Sequence, residues 1–178
     1  MPYRFPQEAV LRNGTRVLIR PFTGRDTEAL WQFFQRLPPD VRRLAWDHID
    51  DRSVVEAWGQ NVDYYKALPL IAIAGDHVVA DATLHRRKGG PLRFVGRVKW
   101  LLDPEVRGQG LGVILVNYFI TMARENGLRY LTCMLFADVE ADAVRTLEEL
   151  GFEKHQFPGY GTDPDGGQHD MVKLTLRV

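Results

Sequence analysis

Cysteine is nearly missing from this chain. Its 178 residues include one, Cys133, which excludes an internal disulfide and any cysteine-based zinc cluster. Net charge is missing too: Lys plus Arg and Asp plus Glu both number 23, so no overall basic field marks a DNA or RNA binder, and no acidic one stands in its place. No apolar run reaches the roughly 18 residues of a membrane span, and the opening MPYRFPQEAV has no signal-like apolar stretch. The expectation is a cytoplasmic protein without a membrane partner. The five histidines show no H-x-x-x-H or similar spacing, so no metal site is expected. TDPDGGQHD looks superficially like a calcium loop, but it lacks the EF-hand spacing and terminal glutamate and reads as a turn. A hydrophobic share of 45% against 26% charged suits a soluble globular protein. The length fits one domain over residues 1–178, without internal repeat.

Glycine, in contrast, is concentrated where it should cost stability. In EVRGQGLGVILVNYFITMAR, residues 105–124, Gly108, Gly110 and Gly112 stand where a helix begins, although glycine inside a helix is worse than alanine by about 1 kcal/mol. The helix itself is plain from Leu111, Ile114, Leu115, Tyr118, Phe119 and Met122, which fall on one face. Upstream, a strand with Val98, Trp100 and Leu102 ends at Asp103-Pro104. Strand, turn, glycine loop and helix follow in order. A helix start carries unpaired N–H groups and the positive end of the macrodipole, and bare backbone lets an anion approach. The segment therefore reads as a phosphate cradle. The dinucleotide fingerprint does not fit, because its last small residue would be Val113 and no acidic residue ends a strand at the right distance. A P-loop needs Lys followed by Ser or Thr, which is absent.

Along the chain, a strand over 15–22 leads to a helix over 26–37 with Asp26 as its N-cap and Leu30, Phe33, Phe34 and Leu37 inward. One or two helices between 39 and 64 carry Val41, Leu44, Ala45, Val54, Val55 and Trp58. PLIAIAG, HVVADATLHRR and FVGRVKWLLD form a meander broken at Gly75-Asp76 and KGGP. The glycine-capped helix, strand RYLTCMLFAD, helix 140–150 and strands near 152–157 and 170–177 complete an α/β order around one mixed sheet. Ala143, Val144, Leu147 and Leu150 line the helix over 140–150, which Gly151 closes.

Arg107-Gly108-Gln109-Gly110-Leu111-Gly112 fits R/Q-x-x-G-x-G/A and closely resembles the pyrophosphate loop of the GNAT family of acyl-CoA-dependent N-acetyltransferases. LDPEVRGQGLG resembles that family's strand end and loop, AVRTLEELGF its second signature helix, and the opening LRNGTRVLIRPFTGRDTEALWQFFQRL the start of such a domain. The feel is nearest to the acetyltransferase domains of bacterial protein-lysine acetyltransferases. The resemblance implies a GNAT-like fold, a mixed central sheet of about six or seven strands with helices on both faces. It also implies transfer of an acetyl group from acetyl-CoA to a primary amine, by direct attack and without a metal. Val106, Arg107, Gly108, Gln109, Gly110, Leu111 and Gly112 would hold the pyrophosphate, and Leu101 and Leu102 would pair with the pantetheine arm. A homodimer is an expectation on the same ground. The amine acceptor is left open, and a degenerate acyl-CoA-binding sensor is the alternative.

The chain departs from the family where chemistry is expected. The glutamate of many members falls at Arg97, the thiolate-protonating tyrosine at Leu147, and the asparagine that often opens the second helix at Glu140. Substitutes must come from elsewhere. On 77–87, Val79, Asp81, Thr83 and His85 share a strand face, as Arg97 and Lys99 do on 94–103. A hairpin turning near Gly89-Gly90 would set Asp81 near Lys99 and Thr83 near Arg97, making Asp81 an ion-pair partner or a base. His85, with an ordinary pKa of about 6.5, could be a base or a surface residue. Asp138 and Glu140 could face the cleft or cap a helix. Tyr160 could reach the thiol from a glycine-rich loop. Cys133 alternates with Leu131 and Leu135 and reads as a buried small hydrophobe. Arg124, Arg129 and Arg145 could meet the CoA 3′-phosphate or lie on a solvated surface. Arg97 and Lys99 together would favour an acidic acceptor.

Overall fold

The computed structural model describes residues 5–43 and 45–178, so Leu44 lies outside the described residues. The strands are β1 (Gln7–Val10), β2 (Arg16–Pro21), β3 (Ala67–Ala74), β4 (His77–His85), β5 (Val95–Leu102), β6 (Tyr130–Phe136), β7 (Glu153–Thr162) and β8 (Gln168–Arg177). The helices are α1 (Thr27–Arg36), α2 (Pro39–Arg42), α3 (Arg52–Gln60), α4 (Leu111–Glu125) and α5 (Ala141–Glu149). The strands form one eight-stranded mixed sheet in the order β1-β2-β3-β4-β5-β6-β8-β7. That is slightly more than the six or seven expected. The additional strand is β1, four residues long, which pairs antiparallel with β2.

The chain divides into two compact units, Met1–Leu84 with Lys99–Leu115 and His85–Val98 with Val116–Val178. In the first, α1 and α3 bury Leu30, Phe33, Phe34 and Val55 with Phe22, Ile71 and Val78. Removal of such side chains from water is the main stabilising term, about 1.5–3 kcal/mol for each large one. Helices α1 and α3 meet where side chains vanish. A Cβ on Gly59 would stand 2.0 Å from Thr27 Oγ1, and one on Gly24 2.5 Å from the Gly59 carbonyl oxygen. Asp26 occupies the expected N-cap position, but its carboxylate does not cap α1. It accepts from Thr23 N at 2.9 Å and Thr23 Oγ1 at 2.8 Å and pairs with both Arg20 nitrogens at 2.6 and 2.7 Å. Spacing reveals a cap more readily than it reveals a competing arginine on the neighbouring strand.

In the second unit, β6 pairs with β8 along its whole length, Tyr130↔Arg177 to Phe136↔Met171. Leu131, Cys133 and Leu135 are buried, as are Val144 and Leu147 of α5. Strand β7 runs to Thr162, further than the sequence suggested, through a register shift between Phe157 and Gly161. The shift accommodates Pro158 on the outermost strand, where proline is tolerated. Asp163 closes the β7–β8 turn by accepting from Asp165 N and Gly167 N at 2.9 and 2.8 Å, so TDPDGGQHD is a turn.

Candidate functional site

The glycine loop takes the form its sequence implied. Asp103 Oδ1 accepts from Glu105 N at 3.1 Å and starts a short 3-10 turn over Pro104–Val106. Val106 is buried beneath it while Arg107 is exposed. Gly108 and Gly110 have φ of +70° and +93°, in the left-handed region that L side chains avoid. They turn the backbone into α4. The first helical bond is Ile114 N to Gly110 O at 3.1 Å, so the amides of Leu111, Gly112 and Val113 precede the ladder and have no intrahelical acceptor. Arg107 N and Gln109 N instead bond the carbonyls of Pro104 and Val106 at 3.3 Å. The donors therefore gather at the helix start more than in the loop.

Neighbours keep this start open and electropositive. A Cβ on Gly112 would meet Leu102 Cδ1 at 3.7 Å, and one on Gly108 would meet nothing within 4 Å. The β1–β2 turn is tied on by Arg12 N to Gln109 O at 3.0 Å. It brings Arg12 Nε to 3.9 Å from where a Gly110 Cβ would be, a contact that local patterning could not show. The nearby negative charge of Glu105 is turned aside to His77 Nε2 at 3.2 Å. The hydrogen bonds from His77 to Glu105 and Asp76 hold the histidine pKa above its ordinary value. Bare backbone, orphan amides and an adjacent guanidinium fit a pyrophosphate.

Strand β5 supplies a second element. Its parallel ladder with β6 covers only Val95↔Tyr130, Gly96↔Leu131 and Arg97↔Thr132. Beyond Arg97 that edge of β5 has no strand partner among the described residues, which leaves backbone groups as far as Leu101 and Leu102 to pair with an extended ligand. Both leucines are half-buried. Leu101 packs against the α1–α3 core.

The proposed chemical residues are distributed as follows. Asp81 is partly buried on β4, and burial, opposed by the positive charge of Lys99 and aided by the negative charge of Asp47, pushes its pKa up to about 7. Lys99 gives its ion pair to Asp47, which corrects two expectations: Asp81 is not the lysine's salt-bridge partner, and Lys99 is not an open cation waiting for an acidic acceptor. Separated in sequence by 52 positions, that pair carries no sequence signal. Asp103 N bonds Val79 O at 2.8 Å, setting the end of β5 beside the first half of β4.

In the second unit, His85 is half-buried at the end of β4. Glu140 holds the N-cap position of α5 but turns its carboxylate to Phe136 N at 2.8 Å. Asp138, rather than capping, stands 3.1 Å from His169 Nδ1, whose Nε2 is 3.1 Å from Asp163. Tyr160 lies within β7, not in a loop, and is 70% exposed, with its ring 5.6 Å from that of Phe157. Arg145 pairs with Asp142, and Arg129 stacks on Phe94 with its guanidinium 4.7 Å from the ring centre. Arg124 is exposed. Cys133 is buried, and burial, with a contribution from Glu140, pushes its thiol up to about 12. Among the described residues no group of three His, Cys, Asp or Glu is placed to hold a metal, and no helix is long and apolar enough to cross a membrane.

A glycine-opened helix start thus follows a strand whose edge is released beyond Arg97. A model of the acetyltransferase (GNAT) family matches residues 27–152. The chain belongs to that family. It is similar to Acetyltransferase PA5475 of Pseudomonas aeruginosa, at 25% identity across 93% of this chain and 87% of that protein. Its fold resembles the GNAT domain of S. lividans PAT, with a TM-score of 0.79 and 20% identity over 100% of this chain and 99% of the other. A third similarity is to yncA, a putative acetyltransferase from Salmonella typhimurium solved with its cofactor acetyl-CoA, with a TM-score of 0.75 and 22% identity over 90% of this chain and 93% of that one. The chain thus has the fold of the GNAT acetyltransferase family, with a mixed sheet flanked by helices.

Proposed function

We propose that this GNAT protein, with residues 1–178 acting as one catalytic domain, transfers the acetyl group of acetyl-CoA to a primary amine by direct attack. The observation that carries the reading is the start of α4, where three amides without helical acceptors follow two glycines of positive φ. Leu111, Gly112 and Val113 would donate these amides to the pyrophosphate, with Gly108 and Gly110 providing close approach. The freed edge of β5 at Leu101 and Leu102 would align the extended arm. When bound, acetyl-CoA supplies a thioester-activated acyl group. The protein's part is then to orient that group, exclude competing water and receive the acceptor's proton.

Titration calorimetry with acetyl-CoA, with NAD as the control ligand, tests the first half. Release of free thiol in the presence of lysine methyl ester, spermidine and an alanine-terminated peptide tests the second. Acetyl-CoA binding with thiol release is expected. Failure of a folded protein to bind acetyl-CoA would remove the acyltransferase reading, while tight binding without turnover would favour a CoA-responsive regulatory module.

A further inference from the structure

The residue that takes the acceptor's proton is missing from its usual place, because Arg97 stands where the resemblance expects a glutamate. The structure brings forward a carboxylate from the adjoining strand. Asp81, itself partly buried, interrupts the buried run Val78, Val79, Ala80, Ala82 and Leu84 of β4, and the hydrogen bond from Asp103 N to Val79 O at 2.8 Å sets this part of β4 beside the end of β5 that carries Leu101 and Leu102. A charge among apolar neighbours is costly unless it has a use or a partner. No ion pair with Asp81 occurs among the described residues. The charged groups acting on it are Lys99 of β5 and Asp47 of the segment between α2 and α3. Strand β3, Ala67–Ala74, brings no titratable side chain. Lys99 is itself bonded to Asp47, so the three groups together carry a single negative charge when both carboxylates are ionised.

We infer that Asp81 is the general base of the transfer reaction, with the Lys99–Asp47 pair beside it adjusting its charge. This assignment rests on the acetyltransferase reading above. Asp81 accepts one proton from the acceptor ammonium, leaving a neutral amine. The nitrogen then bonds the acyl carbon as the carbon–sulfur bond breaks, and the second N–H proton ends on the departing sulfur. The products are an amide, free thiol and protonated Asp81, which returns its proton to solvent. A base pushed to about 7 by burial is matched to that exchange near neutral pH. The single net negative charge of the trio also selects a cationic acceptor over an acidic one, the reverse of what Arg97 and Lys99 suggest in sequence.

One arm of the test needs no acceptor. The Asp81 carboxyl carbon is followed by NMR through a pH titration of the ligand-free protein. A midpoint near 7 is expected, moving down in Asp47→Asn and up in Lys99→Met; a midpoint in the usual carboxylate range overturns the assignment. The second arm measures acetyl transfer to spermidine and to a glutamate-rich peptide with a free amino terminus. Asp81→Asn should lower kcat by about 10²-fold or more while leaving the Kd for acetyl-CoA within twofold, and the acidic limb of the wild-type rate profile should move with the NMR midpoint in Asp47→Asn. Unchanged kcat, or preference for the acidic peptide, refutes the inference. If the wild type does not bind acetyl-CoA, or binds it without turning over either amine, the acetyltransferase reading fails and the catalytic assignment falls with it.

Discussion

Replacing Gly112 by glutamate should make the protein more stable and a worse binder of acetyl-CoA. Gly112 is the second residue of α4, and a Cβ there meets only Leu102 Cδ1 at 3.7 Å, an ordinary contact. Unlike Gly108 and Gly110, it is not held at positive φ, so no backbone strain accompanies a side chain. Glutamate is a better helix former than glycine by about 0.5 kcal/mol, and an acid in the first turn adds about 0.3–1 kcal/mol. For a chain of this size that corresponds to a Tm higher by roughly 2–5 °C. The same carboxylate would repel a diphosphate sharing that turn's amides. Two phosphate charges roughly 6 Å away, at an effective dielectric of roughly 40–80, give about 1.5–3 kcal/mol, or about 10- to 150-fold in Kd. Scanning calorimetry and acetyl-CoA titration measure the two effects separately. Gly112→Gln has similar bulk without charge, so it should lose less affinity, and the difference should shrink in high salt. If Glu and Gln weaken binding equally, or neither does, the α4 amides are not the anion site.

Gly59→Ala gains about 1 kcal/mol of helix propensity but sets a Cβ 2.0 Å from Thr27 Oγ1. Overpacking of about 1–3 kcal/mol and loss of the Thr27–Gly24 hydrogen bond should win, lowering the urea midpoint; a stabilised variant would disprove the close α1–α3 approach. Burial raises the pKa of Asp26, but hydrogen bonds from Arg20 and Thr23 outweigh it and hold the pKa below the ordinary value. The stability it contributes is therefore complete above the unfolded pKa of about 3.9 and is lost as pH falls through the lower folded pKa. Asp26→Asn should cost about 2–4 kcal/mol near pH 7, less than a fully buried pair because Arg20 keeps 29% of its side chain open, and should flatten the acid limb of stability. Cys133, with its thiol pushed up to about 12, should react with iodoacetamide at pH 8 about 10³-fold more slowly in the native protein than in urea; rapid native labelling would show that β6 opens.

Much of this architecture was legible along the chain because its signals are local. Apolar spacing marks α1, α4 and α5, the glycine breaks mark the meander, and R-G-Q-G-L-G marks the glycine-opened start of α4. Local patterning carries further than expected at Gly108 and Gly110, since a positive φ leaves few residues to choose from. It fails at β1, whose four residues become a strand through pairing with β2, and at the end of β7, where a bulge keeps Tyr160 within the sheet. It fails also for Asp26, which has a good capping pattern but a stronger partner in Arg20.

By itself, the sequence determined the order of elements, the glycine-opened start of α4 and the absence of the expected glutamate and tyrosine at Arg97 and Leu147. Only the tertiary structure decided which charges meet: Lys99 with Asp47, Glu105 with His77, Arg12 beside Gly110, and Asp81 left among apolar neighbours with a raised pKa. The division has a physical cause. Backbone preferences and apolar periodicity act over a few residues, whereas charge pairing and desolvation depend on distances through space that only the packed sheet establishes.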